Sequence, residues 1–582
     1  MIEDFLLNVM KPARYIGREW NACVTDFEGS RVRCALCFPD LYEIGMSNLG
    51  IRILYGVLNA IPGVACERFF SCADDMDTLL REKGLEPVSL ESRRPLRDFD
   101  FVGFSLGSEL CYTNVLRLLF LGNIPLRAQE RGPHYPLIIG GGPCTMNPEP
   151  MHAFFDMFVI GEAEEAIAEI IAAYEAHKDA YKSGRLNKED LLYFLSQIEG
   201  VYVPSLYEVV LTENAGVDSF KPTREGVPPV VKKRFVKDFN SVFFPVDWIV
   251  PYIQVVHDRI SLEVMRGCPN RCRFCQARSQ YAPVRIRTAE TVMRLARQSY
   301  ACTGYEEISL CGLSVSDYPY LGESLKELIG FFKSRAVGIS LPSVKARAML
   351  GDLFSLIASI KKSGLTFAPE AGSERLRVKL AKDFEEGVFF EALERAYAGG
   401  YQHVKLYFMI GLPQETDEDL DGIIEFSTRV SELRRKIAQS PAQVNISINT
   451  FIPKPHTPFQ WYAMDTPETV RRKQEYLRKK LKNRRLQVSF HNHSMSFLEA
   501  VLSRGDRRLS DVIMRACDKG ARFDAWSDQF VYERWEEAFK EAGIDPYSYL
   551  PARSPDESLP WDFIDVCVDK EALRQEYLRS KA

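Results

Sequence analysis

The chain has 582 residues, 46% of them apolar and 26% charged, with a formal net charge of −5 and 14 cysteines. That length exceeds one ordinary core and predicts roughly two to four globular domains with little disorder. The small negative charge excludes a global pull toward nucleic acid or membrane, and no run of about 18 apolar residues offers a membrane span. The opening MIEDFLLNVMKPARYIG has early acids and no long apolar stretch, so it does not read as a secretion signal. Cysteines in such a chain belong to a reducing compartment, and the cytoplasm is the expectation.

From the N-terminus, residues 1–175 alternate short apolar runs with amphipathic stretches. VRCALCFPD, DFVGFSLGS and YPLIIGGGP predict strands, MSNLGIRILYGVLNAI predicts a helix, and FDMFVIGEAEEAIAEIIAAY predicts a strand passing into a helix. This is the pattern of a Rossmann-like α/β module. Cys34 and Cys37 make a Cys-x2-Cys inside the first strand, where core packing explains them better than redox or metal chemistry. Gly140, Gly141 and Gly142 end a strand and present backbone donors suited to phosphate or a large cofactor. Residues 176–258 read as a connector, with a hairpin in YEVVLTENAGVDSF and prolines through FPVDWIVP.

Residues 259–465 hold the strongest signal. Cys268, Cys272 and Cys275 lie in GCPNRCRFCQA as Cys-x3-Cys-x2-Cys. Iron-sulfur cubanes normally take four cysteines, so three local ligands leave one iron open, and an open metal position usually serves chemistry. A four-cysteine zinc site would need a second pair, which Cys302 and Cys311 do not supply. Around this loop, ISLEVM, EEISLC, AVGISLP, SGLTFAP, HVKLYFMIG and VNISINTFIP predict six strands, separated by helical patterns such as TAETVMRLARQSYACTG with Thr288 as N-cap. Residues 466–582 read as a small, mostly helical accessory extension. Within it, Arg471 to Arg485 carry nine basic residues against one acidic, either a solvated helix face or an RNA-contacting patch near the barrel mouth. His491 and His493 alternate in VSFHNHS, so a strand there would put both on one face, a weak metal signal.

The cysteine segment, with Phe274 at the aromatic position, resembles the radical SAM enzymes. The resemblance implies a 4Fe-4S cluster on the three cysteines, S-adenosylmethionine chelating the fourth iron, and a (βα)6 partial TIM barrel whose active site gathers at the carboxyl ends of the strands. It also implies contacts to S-adenosylmethionine from Phe274, from Glu370 in TFAPEAGSERL, from Lys382, and from Ile410 in MIGLPQET. The glutamate-bearing segment usual after the second strand is replaced by LCGLSVSDYP, where hydroxyls of Ser314 or Ser316 would substitute. FIPKPHTPFQW resembles the element that follows the barrel in many members.

The N-terminal module resembles the cobalamin-binding-like domain of one large radical SAM group, and the whole chain resembles an uncharacterised family with that arrangement. There the first loop carries Asp-x-His-x-x-Gly; here it reads Asp40-Leu41-Tyr42-Glu43-Ile44-Gly45, and a phenol is a poor replacement for an imidazole ligand. Tyr42, Ser105, Gly140, Gly141 and Gly142 are the positions the resemblance sets against cobalamin. It further implies an electron donor such as flavodoxin or ferredoxin. The expected function is reductive cleavage of S-adenosylmethionine to modify a substrate such as RNA or another macromolecule, methyl transfer being one outcome. The alternative is a non-catalytic iron-sulfur binding or regulatory protein.

Overall fold

The computed structural model describes residues 2–212, 216–341, 345–350, 356 and 364–581. Residues 213–215 of the expected hairpin, Pro342 of AVGISLP and Ser363 of SGLTFAP lie outside them.

The N-terminal sheet is built from β1 (Val32–Phe38), β2 (Val64–Phe70), β3 (Phe101–Ser105), β4 (Leu137–Gly141), β5 (Met157–Val159) and β6 (Val201–Tyr202) in the order β2-β1-β3-β4-β5-β6. All neighbours are parallel except β5 and β6. The order reverses between β1 and β3, the switch point beyond which doubly wound sheets bind ligands. Cys34 and Cys37 are buried free thiols within β1.

The expected strands and helices are all present, but β2 was not among them, because Glu67 and Arg68 interrupt its apolar run. Both are buried. Arg68 pairs with Glu19 at 2.7 Å and Glu91 at 2.6 Å, each side chain no more than 3% exposed. Burial pushes the Glu91 carboxyl upward against the pull of Arg68, whereas at Glu19 the same burial is overcome by Arg68 and Tyr42 and the carboxyl stays low.

Next, β7 (Tyr207–Leu211) and β8 (Val217–Pro222) pair antiparallel as the expected hairpin, and β9 (Val231–Lys232) follows. Then come β10 (Ile260–Glu263), the antiparallel pair β11 (Met265–Arg266) and β12 (Arg285–Ile286), β13 (Glu307–Cys311) and β14 (Gly338–Ser340). β10, β13 and β14 form a parallel sheet. A second parallel sheet contains β15 (Leu365–Glu370), β16 (His403–Ile410), β17 (Gln443–Thr450) and β18 (Leu486–Phe490). Seven parallel strands therefore stand where six were expected. The additional one, β18, lies beyond residue 465, and the helix Pro467–Lys480, which carries much of the basic run, crosses over to it. In the second sheet Leu406, Phe408, Ile446 and Ile448 pack beneath the helices Glu386–Ala398, Asp417–Ala438 and Pro467–Lys480.

The remaining residues form helices His493–Arg504, Leu509–Asp518, Tyr532–Ala542 and Lys570–Lys581, with β19 (Ile564–Asp565) parallel to β9. Most of them share a core with the rest of the chain: Leu498, Val512, Ile513 and Trp535 join one apolar cluster with the N-terminal sheet, while Leu559, Trp561, Leu573 and Tyr577 pack around Trp461. Thr113 donates to Asp524 at 2.7 Å, and the Trp526 indole donates to Asp40 at 3.0 Å. His491 follows β18 and His493 opens a helix, so the two do not share a strand face; His491 Nδ1 meets Ser496 Oγ at 2.8 Å. Among the described residues no helix is long and apolar enough to cross a membrane.

Removing one member of a buried charge group leaves the others unpaired in a low dielectric. Arg68→Ala should therefore lower the stability of the N-terminal sheet by roughly 3–5 kcal/mol, read as an earlier first transition in thermal denaturation; an unchanged melting profile would contradict this account of β2.

Candidate functional site

Gly267 turns the chain out of β11 with φ of +85°, and a Cβ there would sit 2.8 Å from the Pro283 carbonyl oxygen, so only glycine fits the turn before the first cysteine. Cys268, Cys272 and Cys275 follow, all free and partly exposed, and the helix Gln276–Gln280 starts at the last of them. Burial pushes the Cys272 thiol up to about 11, and neighbouring thiols add to it while Lys382 opposes it. Cys275 is raised as well, first by burial. The Asn270 amide donates to Cys268 Sγ at 3.2 Å.

Arg273, between the second and third cysteines, fixes the loop on three sides. Its backbone N–H donates to the Leu380 carbonyl at 2.9 Å and its guanidinium to Lys379 O at 2.9 Å and Glu576 at 2.9 Å, while its own carbonyl accepts from Phe459 N at 3.2 Å. Phe274 turns into an apolar cluster with Ala371, Leu376, Leu412 and Phe451.

Glu370 ends β15 in a left-handed conformation, φ +70°, and accepts from Lys382 Nζ at 3.0 Å. Burial raises the Glu370 carboxyl, and the Lys382 ammonium pulls it back. Because Lys382 also acts on Cys272 and Cys275, the two expected residues lie beside the cysteine loop. Ile410 differs: its side chain is fully buried in the helix-covered core, so only its backbone reaches the strand end, where its carbonyl accepts from Phe451 N at 2.9 Å. Ser314 Oγ donates to Asp317 at 2.6 Å, and Asn270 donates to the same carboxylate at 3.0 Å. Lys345 completes the network, 2.9 Å from Asp317 and 2.9 Å from Asp383. Burial disfavours the Asp317 charge, but Ser314, Lys345 and Asn270 hold its carboxyl below the usual range. Asn270 sat inside the cysteine spacer and could have been singled out; Lys345 and Asp383 carried no local signal.

Between the two halves of the chain lies a cavity of about 540 Å³. Ser105, Gly140, Gly141 and Gly142 line it from the N-terminal sheet, and Glu263, Gly267, Tyr281 and Leu313 from the cysteine-bearing half. A Cβ added at Gly107 or Gly141 would meet open space, so this wall is a shallow cradle of bare backbone. Tyr42 is elsewhere: it is buried, and its hydroxyl donates to Glu19 at 2.8 Å. The expectation that Tyr42 borders the same site as the glycines is corrected, because the Arg68 charge group holds its phenol on the far side. No histidine lines the cavity among the described residues.

The donor set suits a cluster. A cubane takes one thiolate on each of three irons, and Cys268, Cys272 and Cys275 offer three free thiols from one loop.

The model for the radical SAM superfamily matches residues 262–427, and the model for the N-terminal region of radical SAM proteins matches residues 50–204. A Methanocaldococcus jannaschii protein, uncharacterized protein MJ0966, is 28% identical over 513 residues, covering 88% of this chain and 97% of its own. The ribosomal protein uS12 methylthiotransferase RimO of Desulfotalea psychrophila is 25% identical over 46% of this chain, and the tRNA-2-methylthio-N(6)-dimethylallyladenosine synthase of Syntrophomonas wolfei is 25% identical over 29%. These matches span 62% and 40% of the two enzymes' lengths, respectively. Among solved structures, the cobalamin-dependent S-adenosylmethionine radical enzyme OxsB aligns with 94% of this chain and 79% of its own at 12% identity and a TM-score of 0.46. With residues 50–204 and 262–427 both matched to radical SAM models, and the cysteine loop inside the second match, the chain belongs to the radical SAM superfamily of enzymes.

Proposed function

We propose that the chain uses a 4Fe-4S cluster on Cys268, Cys272 and Cys275, and that S-adenosylmethionine lies between this loop and the ends of β15 and β16. The observation that carries the reading is the Lys382–Glu370 pair at 3.0 Å beside two of the three thiols. The three- and four-stranded parallel sheets are then two arcs of one partial barrel. When bound, the cluster supplies the electron, delivered by a donor such as flavodoxin or ferredoxin, that splits the sulfonium into methionine and a 5′-deoxyadenosyl radical.

The protein's part is positional. Lys382 offers its ammonium to the methionyl carboxylate while pairing with the buried Glu370. Glu370 is thereby available as an acceptor for a ribose hydroxyl or the methionyl amine. Ser314 and Asn270, tied to Asp317, set the polar edge of the loop next to Cys268. Phe274 seals the opposite side against the Leu376–Phe451 cluster and excludes water.

A second reading concerns the cavity. Its glycine wall and its contact with Gly267 favour a corrinoid lying across Gly141, held without an imidazole from this chain and serving methyl transfer.

Anaerobically reconstituted protein reduced with dithionite should convert S-adenosylmethionine to 5′-deoxyadenosine. Cys272→Ala should lose both the cluster absorbance and this product. Absence of product from protein that retains its cluster would instead identify the non-catalytic alternative. Lys382→Ala should raise the KM for S-adenosylmethionine about tenfold or more, since a charge-assisted hydrogen bond is worth roughly 1.5–3 kcal/mol, with cluster content unchanged. For the cavity, the expected result is cobalt copurifying or taken up in a corrinoid absorbance titration, abolished by Gly141→Phe; no uptake by the wild-type chain would sink the corrinoid reading while leaving the cluster chemistry intact.

A further inference from the structure

All-parallel sheets are ordinarily covered on both faces, because their crossover helices pack there. Among the described residues, the sheet β15–β18 has apolar packing on one face only. The other face, which is the inner one of the proposed partial barrel, is polar, and Lys405, Asn445, Asn449, Gln487 and Ser489 on it are exposed. Thr366, Lys405, Asn445 and Gln487 stand in one register row across all four strands, and the last three are exposed. Lys405 Nζ lies 4.7 Å from the centre of the Tyr407 ring. Lys405, Asn445 and Gln487 have no hydrogen-bond or ion-pair partner among the described residues. On β15, Thr366 and Ala368 are half-buried on this side, and a register shift between Phe367 and Glu370 interrupts the alternation just before the Lys382–Glu370 pair.

At the other end of the strands the basic run comes into place. Lys482, Arg484 and Arg485 are exposed in the segment that enters β18, and none has an acidic partner among the described residues. They stand at the amino ends of the strands, where Val444 N donates to the Arg485 carbonyl at 2.8 Å. The run is divided between the two ends of the strands: Arg472 and Lys473 reach Asp417, Glu415 and Asp465 beyond the carboxyl end of β16, and these three cations stand at the amino ends.

We propose that this edge and the polar face form a path for single-stranded RNA. Lys482, Arg484 and Arg485 hold phosphates, supplying locally the positive field that the net charge of −5 denies the whole molecule. The Asn445 and Gln487 amides can each make paired hydrogen bonds to a base edge, as side-chain amides do with adenine. The hydroxyls of Tyr407 and Ser447 in the next row suit 2′-hydroxyl groups, which distinguish RNA from DNA. The substrate class thus assigned rests on the proposed radical chemistry only for what happens after binding.

The test is fluorescence anisotropy with the full-length, cluster-reconstituted protein and a labelled RNA of about 15 nucleotides, near the upper site size of single-strand binders. Binding is expected to weaken with salt. The variant K482E/R484E/R485E should weaken it about tenfold or more and flatten the salt dependence, whereas N445A/Q487A should weaken it about fivefold with the salt slope preserved. Wild-type affinity in both variants, no RNA binding by the wild type, or equally tight binding of mononucleotides or of DNA of the same sequence would each overturn the proposal. 5′-Deoxyadenosine formation without RNA is measured alongside: its persistence when RNA fails to bind removes this inference alone, and its absence removes the proposed cleavage chemistry instead.

Discussion

The position of the cysteine loop depends on Arg273. A loop carrying three thiols within eight residues has little secondary structure of its own to hold it, and its backbone groups need partners from elsewhere. Arg273 gathers them: Leu380 and Lys379 from the segment after β15, Phe459 from the element after β17, and Glu576 from the last helix. Three pieces of chain, each more than a hundred residues beyond Arg273, thus converge on the peptide between Cys272 and Phe274. The C-terminal helix is therefore part of the site's scaffold, and the Tyr462 hydroxyl at 3.0 Å from Ser580 ties it down again beside Phe459.

A second set of buried charges joins the halves of the molecule. Arg266 pairs with Glu164 at 2.8 Å, Glu162 at 3.1 Å and Glu263 at 2.7 Å, and Arg285 pairs with Glu162 at 2.6 Å. Lys454, after β17, meets Glu109 at 2.9 Å and Glu499 at 2.8 Å, linking the N-terminal unit, the sheet β15–β18 and the C-terminal helices. Burying such groups costs about as much as their attraction returns, so their value lies in geometry more than in net stability. Charges that must find each other to be buried at all admit one docking of the two sheets. That docking sets the cavity wall, because Glu162, Glu164, Glu263 and Arg266 line it.

The parts of this architecture that were legible in the sequence are those whose signals are local. The cysteine spacing, the strand-ending glycines, Glu370 and Lys382 each reside within a short window, and the structure pairs the last two with each other at 3.0 Å. β2 was hidden because Arg68 and Glu67 look like surface residues until Glu19, Glu91 and Ser92 are folded around them. β18 was hidden for the opposite reason: only one face of it is buried, and its exposed Gln487 and Ser489 follow a run of cations that reads as a helix surface. The C-terminal residues looked like an appendage because their apolar partners, among them Val115 and Leu118, lie almost four hundred positions earlier.

Tyr42 shows how a local motif can be present yet mean something else. The segment Asp40–Gly45 keeps the aspartate and glycine of the expected motif, but Asp40 accepts from Trp526 and Tyr42 donates into the carboxylate of Glu19, which is itself bound to Arg68. Burial and the neighbouring Glu19 charge both push the phenol's ionisation upward, so it stays a neutral donor. Its hydroxyl is committed to the charge group that makes β2 buriable, and a side chain with that duty is not free to reach a metal. The cavity wall on this side is consequently the backbone of Gly140 to Gly142, which faces Glu263, Gly267 and Tyr281 across the interface.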